Sequence, residues 1–415
     1  MPASAPRAYN ANDYCASIDV TAVTAITLLE PPCGAGHLSP VSSFSHPDFG
    51  ADRFSRAPDA RFVAAPSDGV LPEDFFSTTN LPTYVRVKGQ WKMPREPRMD
   101  SVLVLEKDGL VWIREGRRVK KGDLIAVGNV EDGSQGIYVH FSAFLGEPTD
   151  GEFKFMTSDV SREKPIDYAL MARILIEERA RGGYPVWVAG PALVHSRARA
   201  DMSWFVENGF VGAMLAGNAV AVHDIEASIF KTTLGMTSSG EASSGGHGLH
   251  MRAINQVRSA GSIATAVERG IIKDGIMHAC VTKGIPFVLT GSIRDDGPLP
   301  EVITDTLLAQ DAMKRHTTRA TMAVLIATAL HAIATGNMLP AFVTEADGSM
   351  RELPTICVDS SEFVVSKLKD RGTHQAFGVV TNAQDFMHIL KLYVERELSE
   401  STASPSGAQT SKARA

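Results

Sequence analysis

Val211-Gly212-Ala213-Met214-Leu215-Ala216-Gly217-Asn218-Ala219 decides how the rest of this 415-residue chain is read. It opens as an unbroken apolar run at 211–215, turns to small and polar residues, and leads into a helical pattern at 225–230. A continuously apolar strand fits a sheet covered on both faces. The same unit recurs along the chain. Short apolar runs at 186–189, 287–290, 322–326, 356–358 and 377–380 read as strands, and helical periodicity marks 168–181, 251–269, 305–315, 361–370 and 383–397. Strands alternating with helices imply βα units and a mainly parallel sheet, so residues 161–398 are read as an α/β domain.

The residues that follow each strand are small or polar. The first strand ends in Gly190-Pro191 and reaches His195; the second ends in Ala216-Gly217-Asn218-Ala219. The third runs into Thr290-Gly291-Ser292-Ile293-Arg294-Asp295-Asp296-Gly297, and the fourth into Thr328, His331 and Thr335-Gly336-Asn337. The fifth ends in Asp359-Ser360-Ser361 and the sixth in Thr381-Asn382. Ligands of open α/β sheets bind at these carboxyl ends. Glycine lets the backbone approach a ligand closely, and Ser or Thr at a helix start exposes N–H groups that suit phosphate. Asp359 has two readings: an acid that accepts ribose hydroxyls and repels a 2′-phosphate, which favours NAD over NADP, or an N-cap for the helix from Ser361. The GxGxxG fingerprint is missing. Gly34-Ala35-Gly36 precedes no helix and Gly245-Gly246-His247-Gly248 follows no strand, so the architecture alone supports a nucleotide-binding α/β domain.

Outside that domain the texture differs. Residues 61–160 read as β-rich, with strands at 101–105 and 110–113 around the turn Lys107-Asp108-Gly109, and a second turn at Gly122 before an apolar run. Residues 1–60 and 399–415 read as irregular segments. The balance of 41 basic and 47 acidic residues, net −6, gives no reason to expect nucleic acid or an anionic membrane as partner. No apolar stretch reaches the ~18 residues of a membrane span, and no signal peptide is read at the start. Cys15, Cys33, Cys280 and Cys357 form no CxxC pair, which fits a reduced compartment and a cytoplasmic protein. His247 and His250 share a helical spacing, and His195, His223 and His331 lie near strand ends, but no HExxH occurs among the 12 histidines and no metal is expected.

Two charged groups stand out. Arg294-Asp295-Asp296 is the densest charge at a strand end and suits an ammonium group or a ribose, although Asp296-Gly297-Pro298 also reads as a turn. Arg86, after the polar run from Ser77, is a fork for a substrate carboxylate or a surface Arg on a strand.

The runs from Ser77 to Arg86, Gly217 to Asp224, His250 to Asn255, Gly291 to Pro300 and Gly336 to Pro340 resemble the archaeal- and cyanobacterial-type ornithine cyclodeaminases. That family is also labelled the lysine-oxoglutarate reductase/saccharopine dehydrogenase bifunctional-enzyme conserved region, and the likeness covers about residues 61–395. It implies a Rossmann-like, deoxyhypusine-synthase-like NAD-binding domain preceded by a small β-rich domain. It implies cofactor contacts at Asn218 and Ala219, at Asp296, along Thr328, Leu330 and His331, at Asp359 and near Val380. It also implies turnover of ornithine to proline and ammonia with no net redox change. Residue type and position then suggest Asp295 or Asp296 for the substrate amine, Arg86 or Arg252 for its carboxylate, and His331 as acid and base. The chain departs from the family in its irregular first 60 residues, in Asn382 where an acid is expected, and in an insertion around Glu345-Ala346-Asp347-Gly348 that reads as a hairpin. A homo-oligomer acting on a small amino acid is expected. An opine- or saccharopine-type dehydrogenase, a non-catalytic NAD-binding module and a metal hydrolase are the rival readings.

Overall fold

Short antiparallel strands come first in the computed structural model, which describes residues 44–144, 166–195, 198–237, 241, 243, 245–293, 298–371 and 376–403. A single helical turn, α1 (Asp52–Ser55), precedes β1 (Arg61–Ala64), β2 (Thr83–Val87), β3 (Gln90–Lys92), β4 (Val102–Leu105), β5 (Val111–Arg114), β6 (Leu124–Val127) and β7 (Ile137–Val139). They form a four-stranded sheet in the order β1-β6-β4-β5 and a three-stranded sheet in the order β3-β2-β7. Leu103, Val111, Ile113 and Ala126 of the first meet Val85, Val87, Ile137 and Val139 of the second in one core. The β4–β5 turn forms as its sequence dictates: Glu106 and Leu110 are bonded across it, and Gly109 takes a φ of 80° that a side chain would resist. Within the segment read as irregular, Phe54 is buried edge-on against Trp91 and Tyr138, and Phe49 stacks on Trp91.

Beyond residue 166 the α/β pattern takes over. In order come α2 (Tyr168–Ala180), β8 (Pro185–Ala189), α3 (Ala198–Glu207), β9 (Ala213–Gly217) and α4 (Asn218–Phe230). A small ribbon of β10 (Thr232–Thr233) and β11 (Met236–Thr237) leads to α5 (Leu249–Ala260), α6 (Ile263–Glu268) and α7 (Ile276–Lys283). Then follow β12 (Phe287–Thr290), α8 (Thr306–Thr317), β13 (Met322–Ile326), α9 (Ala329–Met338), β14 (Phe342–Thr344) and β15 (Met350–Glu352). The last elements are β16 (Thr355–Asp359), α10 (Glu362–Arg371), β17 (Ala376–Val380) and α11 (Ala383–Ala403). Among the described residues no helix is long and apolar enough to cross a membrane.

The six strands expected from the apolar runs pair in parallel in the order β12-β9-β8-β13-β16-β17. Counted along the chain, the third strand is outermost on one side, then the second and first, then the fourth, fifth and sixth. That is the order of a dinucleotide-binding sheet, with its topological switch between β8 and β13. Alternate residues bury opposite faces. Trp187, Met214, Val324 and Val358 pack with α2, α3, α5, α7 and α11 on one side. Val186, Val188, Leu215, Leu325 and Cys357 pack with Met313 of α8 and Ala332 and Met338 of α9 on the other. Both faces being covered explains why the strands read as unbroken apolar runs.

The helices differ more from the sequence reading. The 251–269 pattern is two helices, parted at Gly261 (φ 99°) and restarted by Ser262, whose hydroxyl accepts from Thr265 N at 2.9 Å. α4 starts at Asn218, seven residues before its pattern becomes legible. α9 carries Thr335, Gly336 and Asn337, weak helix formers that burial against the sheet overrides. The insertion at 345–348 does form the tip of a hairpin, β14–β15.

The described residues fall in one unit, and two of the family-like runs meet there. Ala341 N donates to Asn80 O at 2.9 Å, Met99 N to Asn337 O at 3.3 Å, and Asn337 Nδ2 to Asp100 Oδ2 at 3.2 Å. At the switch point Gly190 N donates to Ile326 O at 2.9 Å, and a Cβ on Gly190 would collide with the Ala327 carbonyl. Because the obstacle is backbone, Gly190→Ala is expected to cost about 1–3 kcal/mol of stability. The measurement is the urea midpoint at constant m-value, and an unchanged midpoint would show that the β8 and β13 exits are not tightly apposed.

Candidate functional site

Of three neighbouring strands, β9 closes on Gly217, and β8 and β12 are followed directly by Gly190 and Gly291. The missing fingerprint is thus replaced by one glycine per strand end, a signal visible only when the strands are placed side by side. Two helices begin at the same edge. α4 starts after Gly217 and α9 after Thr328, and neither start carries a side-chain cap. With the helix dipoles, these starts favour a negatively charged group.

His331 knits this edge together. It lies on the first turn of α9, with Nε2 2.8 Å from Thr290 Oγ1 at the end of β12. A Cβ on Gly217 would stand 2.8 Å from its Cε1, so the imidazole occupies the space a side chain at the β9 exit would need. Burial holds His331 below the ordinary histidine value and favours the neutral ring, which both donates and accepts a proton. Thr290 as the partner of His331 is not readable from the sequence, since 41 residues separate them.

The residues expected around a cofactor spread along this edge. Asn218 is buried, and its Oδ1 accepts from Leu299 N at 3.2 Å, tying the segment after β12 to the start of α4. Ala219 lies in the same first turn. Thr328 and Leu330 begin α9, with Leu330 77% exposed. Asp359 pairs in register with Val380. One Asp359 oxygen accepts from Ser361 N at 2.9 Å, a turn just ahead of α10, so Asp359 does not cap that helix's own N–H groups. Ile293, Leu330 and Phe363, just past the ends of β12, β13 and β16, and Val380, the last residue of β17, are exposed apolar residues.

The expected catalytic residues fare differently. Asp295 and Asp296 lie outside the described residues. Arg252 projects from the exposed side of α5, opposite Ala253, Ile254 and Val257. Arg86 sits on β2, where its guanidinium donates to Ala57 O at 2.5 Å and Ser55 O at 3.1 Å and pairs with Asp59 at 3.5 Å. These bonds tie Arg86 to α1 and the segment after it. A cleft of about 640 Å³ lies away from the strand ends, between β5 and α8. Its Arg118 is committed to Glu115 and Asp311 and its Lys314 to Glu96, which makes it a charged seam and not the reaction site.

Comparison with known proteins agrees with this geometry. A family described as "Arginine dihydrolase ArgZ-like, C-terminal, first region" matches residues 82–170, and "Arginine dihydrolase ArgZ-like, C-terminal, Rossmann fold" matches residues 169–390. The chain is 43% identical over 333 residues to a Methanopyrus kandleri protein named ornithine cyclodeaminase, covering 79% of this chain and 77% of that one. It is similar to the crystal structure of a conserved LOR/SDH protein from Methanococcus maripaludis, with a TM-score of 0.74 and 39% identity over 82% of this chain and 99% of that one. It is also similar to AgrE in a ternary complex with ornithine and NAD+, with a TM-score of 0.53 and 35% identity over 83% of this chain and 47% of AgrE.

The buried imidazole has a consequence for stability. The folded-state value of His331 lies below its ordinary 6.5, so the unfolded chain takes up the proton first as pH falls. Stability is full above about pH 6.5 and declines below it. His331→Asn is expected to flatten part of that decline in urea unfolding measured across this range, and an unaltered slope would remove burial of this ring as a cause.

Proposed function

This chain belongs to the ArgZ-like C-terminal family together with the archaeal ornithine cyclodeaminases, and on that premise we propose that it converts L-ornithine to L-proline and ammonia. One observation carries the reading: three glycine strand ends, two uncapped helix starts and the Thr290–His331 pair share the carboxyl edge of a sheet with dinucleotide-binding order. Support also comes from AgrE, a relative whose structure holds both ornithine and NAD+.

The residues fit NAD. Gly190 and Gly217 clear the approach to the switch point, the starts of α4 and α9 (Asn218, Ala219, Thr328, Leu330) offer N–H groups to a pyrophosphate, and Asp359 with Val380 suits the ribose end. When bound, NAD supplies the chemistry of accepting hydride from Cα of ornithine and returning it to the cyclised product, which makes the overall reaction redox-neutral.

The chain's own tasks are binding and proton movement. His331, neutral through burial and oriented by Thr290, takes the proton that the α-ammonium group sheds before hydride can leave Cα. Arg252 is the arginine free to meet the substrate carboxylate, since Arg86 is committed elsewhere. Asp295 or Asp296 holds the distal amine. Part of the same proposal are a β-rich domain at 61–160, a cofactor domain at 161–398, a cytoplasmic location and assembly as a homo-oligomer. The cytoplasmic location is supported by Cys280 and Cys357, two buried cysteines that are in no disulfide.

Purified protein given L-ornithine and NAD+ is expected to release proline and ammonia in equal amounts without net NADH. Net accumulation of NADH would instead favour an amino-acid dehydrogenase, and tight NAD+ binding without either product a non-catalytic module. His331→Asn should lower kcat by about 10²-fold or more. An unchanged kcat would remove His331 from the mechanism.

A further inference from the structure

A second group of histidines lies on the β8 side of the same edge. His195 follows the turn after Gly190, and His223 lies on α4, with ring centroids 6.3 Å apart and planes tilted by 34°. That separation is too long for a direct ring-to-ring hydrogen bond and suits one bridging water. Behind His223 stands Glu226, fully buried one turn further along α4. Its Oε1 accepts from Gly235 N at 2.8 Å and Thr232 Oγ1 at 3.0 Å; its Oε2 accepts from Leu234 N at 3.2 Å and faces His223 Nδ1 at 3.4 Å.

The frame around this line is rigid. Asp224, between the two α4 residues, is completely buried and accepts from Ile276 N at 3.0 Å, Met277 N at 2.7 Å and Arg199 Nε at 2.7 Å. α4 is thus fixed to α7 on one side and to the β10–β11 ribbon on the other. Burial by itself would raise the Glu226 carboxyl, but hydrogen bonds from His223, Gly235 N and Thr232 outweigh it and hold the group below the usual range. A fixed carboxylate beside Nδ1 places the His223 proton on that nitrogen and leaves Nε2 as an acceptor. His195 is held below the ordinary histidine value chiefly by burial, so it rests as a neutral base.

Resting on the reaction proposed above, we propose that His195 shuttles the proton of the ring-closing step, with His223 and Glu226 as positioning residues behind it. The chemistry needs such a shuttle besides His331. When the δ-nitrogen, its ammonium group having first lost a proton to solvent, attacks the α-iminium carbon, a C–N bond forms, the C=N π pair moves onto the α-nitrogen, and the δ-nitrogen becomes a cation with a surplus proton. His195 takes that proton and hands it to the α-nitrogen. The α-nitrogen then departs as ammonia with the electron pair of its bond to carbon, and the ring nitrogen's lone pair forms the cyclic iminium. One proton moves between two nitrogens of the same substrate, none is consumed, and the redox state is untouched. While His195 carries the proton, its second N–H points a positive charge toward His223, whose acceptor nitrogen is kept in place by Glu226.

The test separates this step from hydride transfer. Holoenzyme variants His195→Gln and His223→Gln are mixed with L-ornithine and followed by NADH absorbance and by ammonia release. His195→Gln is expected to form NADH in about one equivalent of active sites and then hold it, with ammonia release slowed about 10²-fold. KM for ornithine and affinity for NAD+ should stay within about twofold of wild type. His223→Gln should show the same persistent NADH with a smaller slowing, about tenfold. Wild-type ammonia release from His195→Gln, or slowed release without retained NADH, overturns the shuttle while leaving the overall reaction standing. A wild-type protein that forms neither proline nor ammonia removes the reaction, and the shuttle with it.

Discussion

The carboxyl edge of the six-stranded sheet depends on a steric constraint: the exits of β8 and β9 have no room for a side chain. At Gly190 the space is filled by the Ala327 carbonyl, and at Gly217 by the imidazole of His331. The first contact keeps the two strands at the switch point close together, and the second sets His331 against Thr290. A single-turn glycine fingerprint would crowd these functions into one loop. Here they are distributed over three strands and the start of a helix from a fourth βα unit.

Burial explains how the charged residues divide their labour. Asp224 and Glu226 are two residues apart on α4 and both are fully buried, yet they do different things. Asp224 joins an arginine and the start of α7, whereas Glu226 gathers two backbone N–H groups, a hydroxyl and an imidazole. Buried carboxylates survive only when such partners surround them. Glu178 follows the same rule through Arg351 at 3.0 Å, which links α2 to the β15 strand. Arg86 belongs with these structural pairs through its bonds to Ser55 and Ala57.

The sheet was legible because both of its faces are covered. Each strand becomes a continuous apolar run, and 322–326 matches β13 in full. The hairpins of the β-rich region were legible through their turns at Gly109 and Gly122. Helices that lean on tertiary contacts were less so: α3, α7 and α9 carry no helical pattern in the sequence reading, and α9 holds Thr335, Gly336 and Asn337 in place by burial. Within the site, His331 was legible by its place after a strand. Its link to Thr290 and the Glu226–His223 contact were not, because spacing along a chain does not report which distant side chains face each other. Arg86 kept two readings for the same reason: residue type gives the reach of a guanidinium but not its destination.

α9 connects the two halves of the molecule mechanically. Its ten residues make a rod of about 15 Å. His331 stands near one end, and Asn337 near the other is clasped by Met99 and Asp100 of the β-rich region. Loosening that clasp would let the rod pivot and draw the imidazole out of its notch beside Gly217. The small β-rich region, which contributes none of the edge's glycines or helix starts, is therefore a foundation for the His331 ring. Its grip on the far end of one helix sets how still that ring is held.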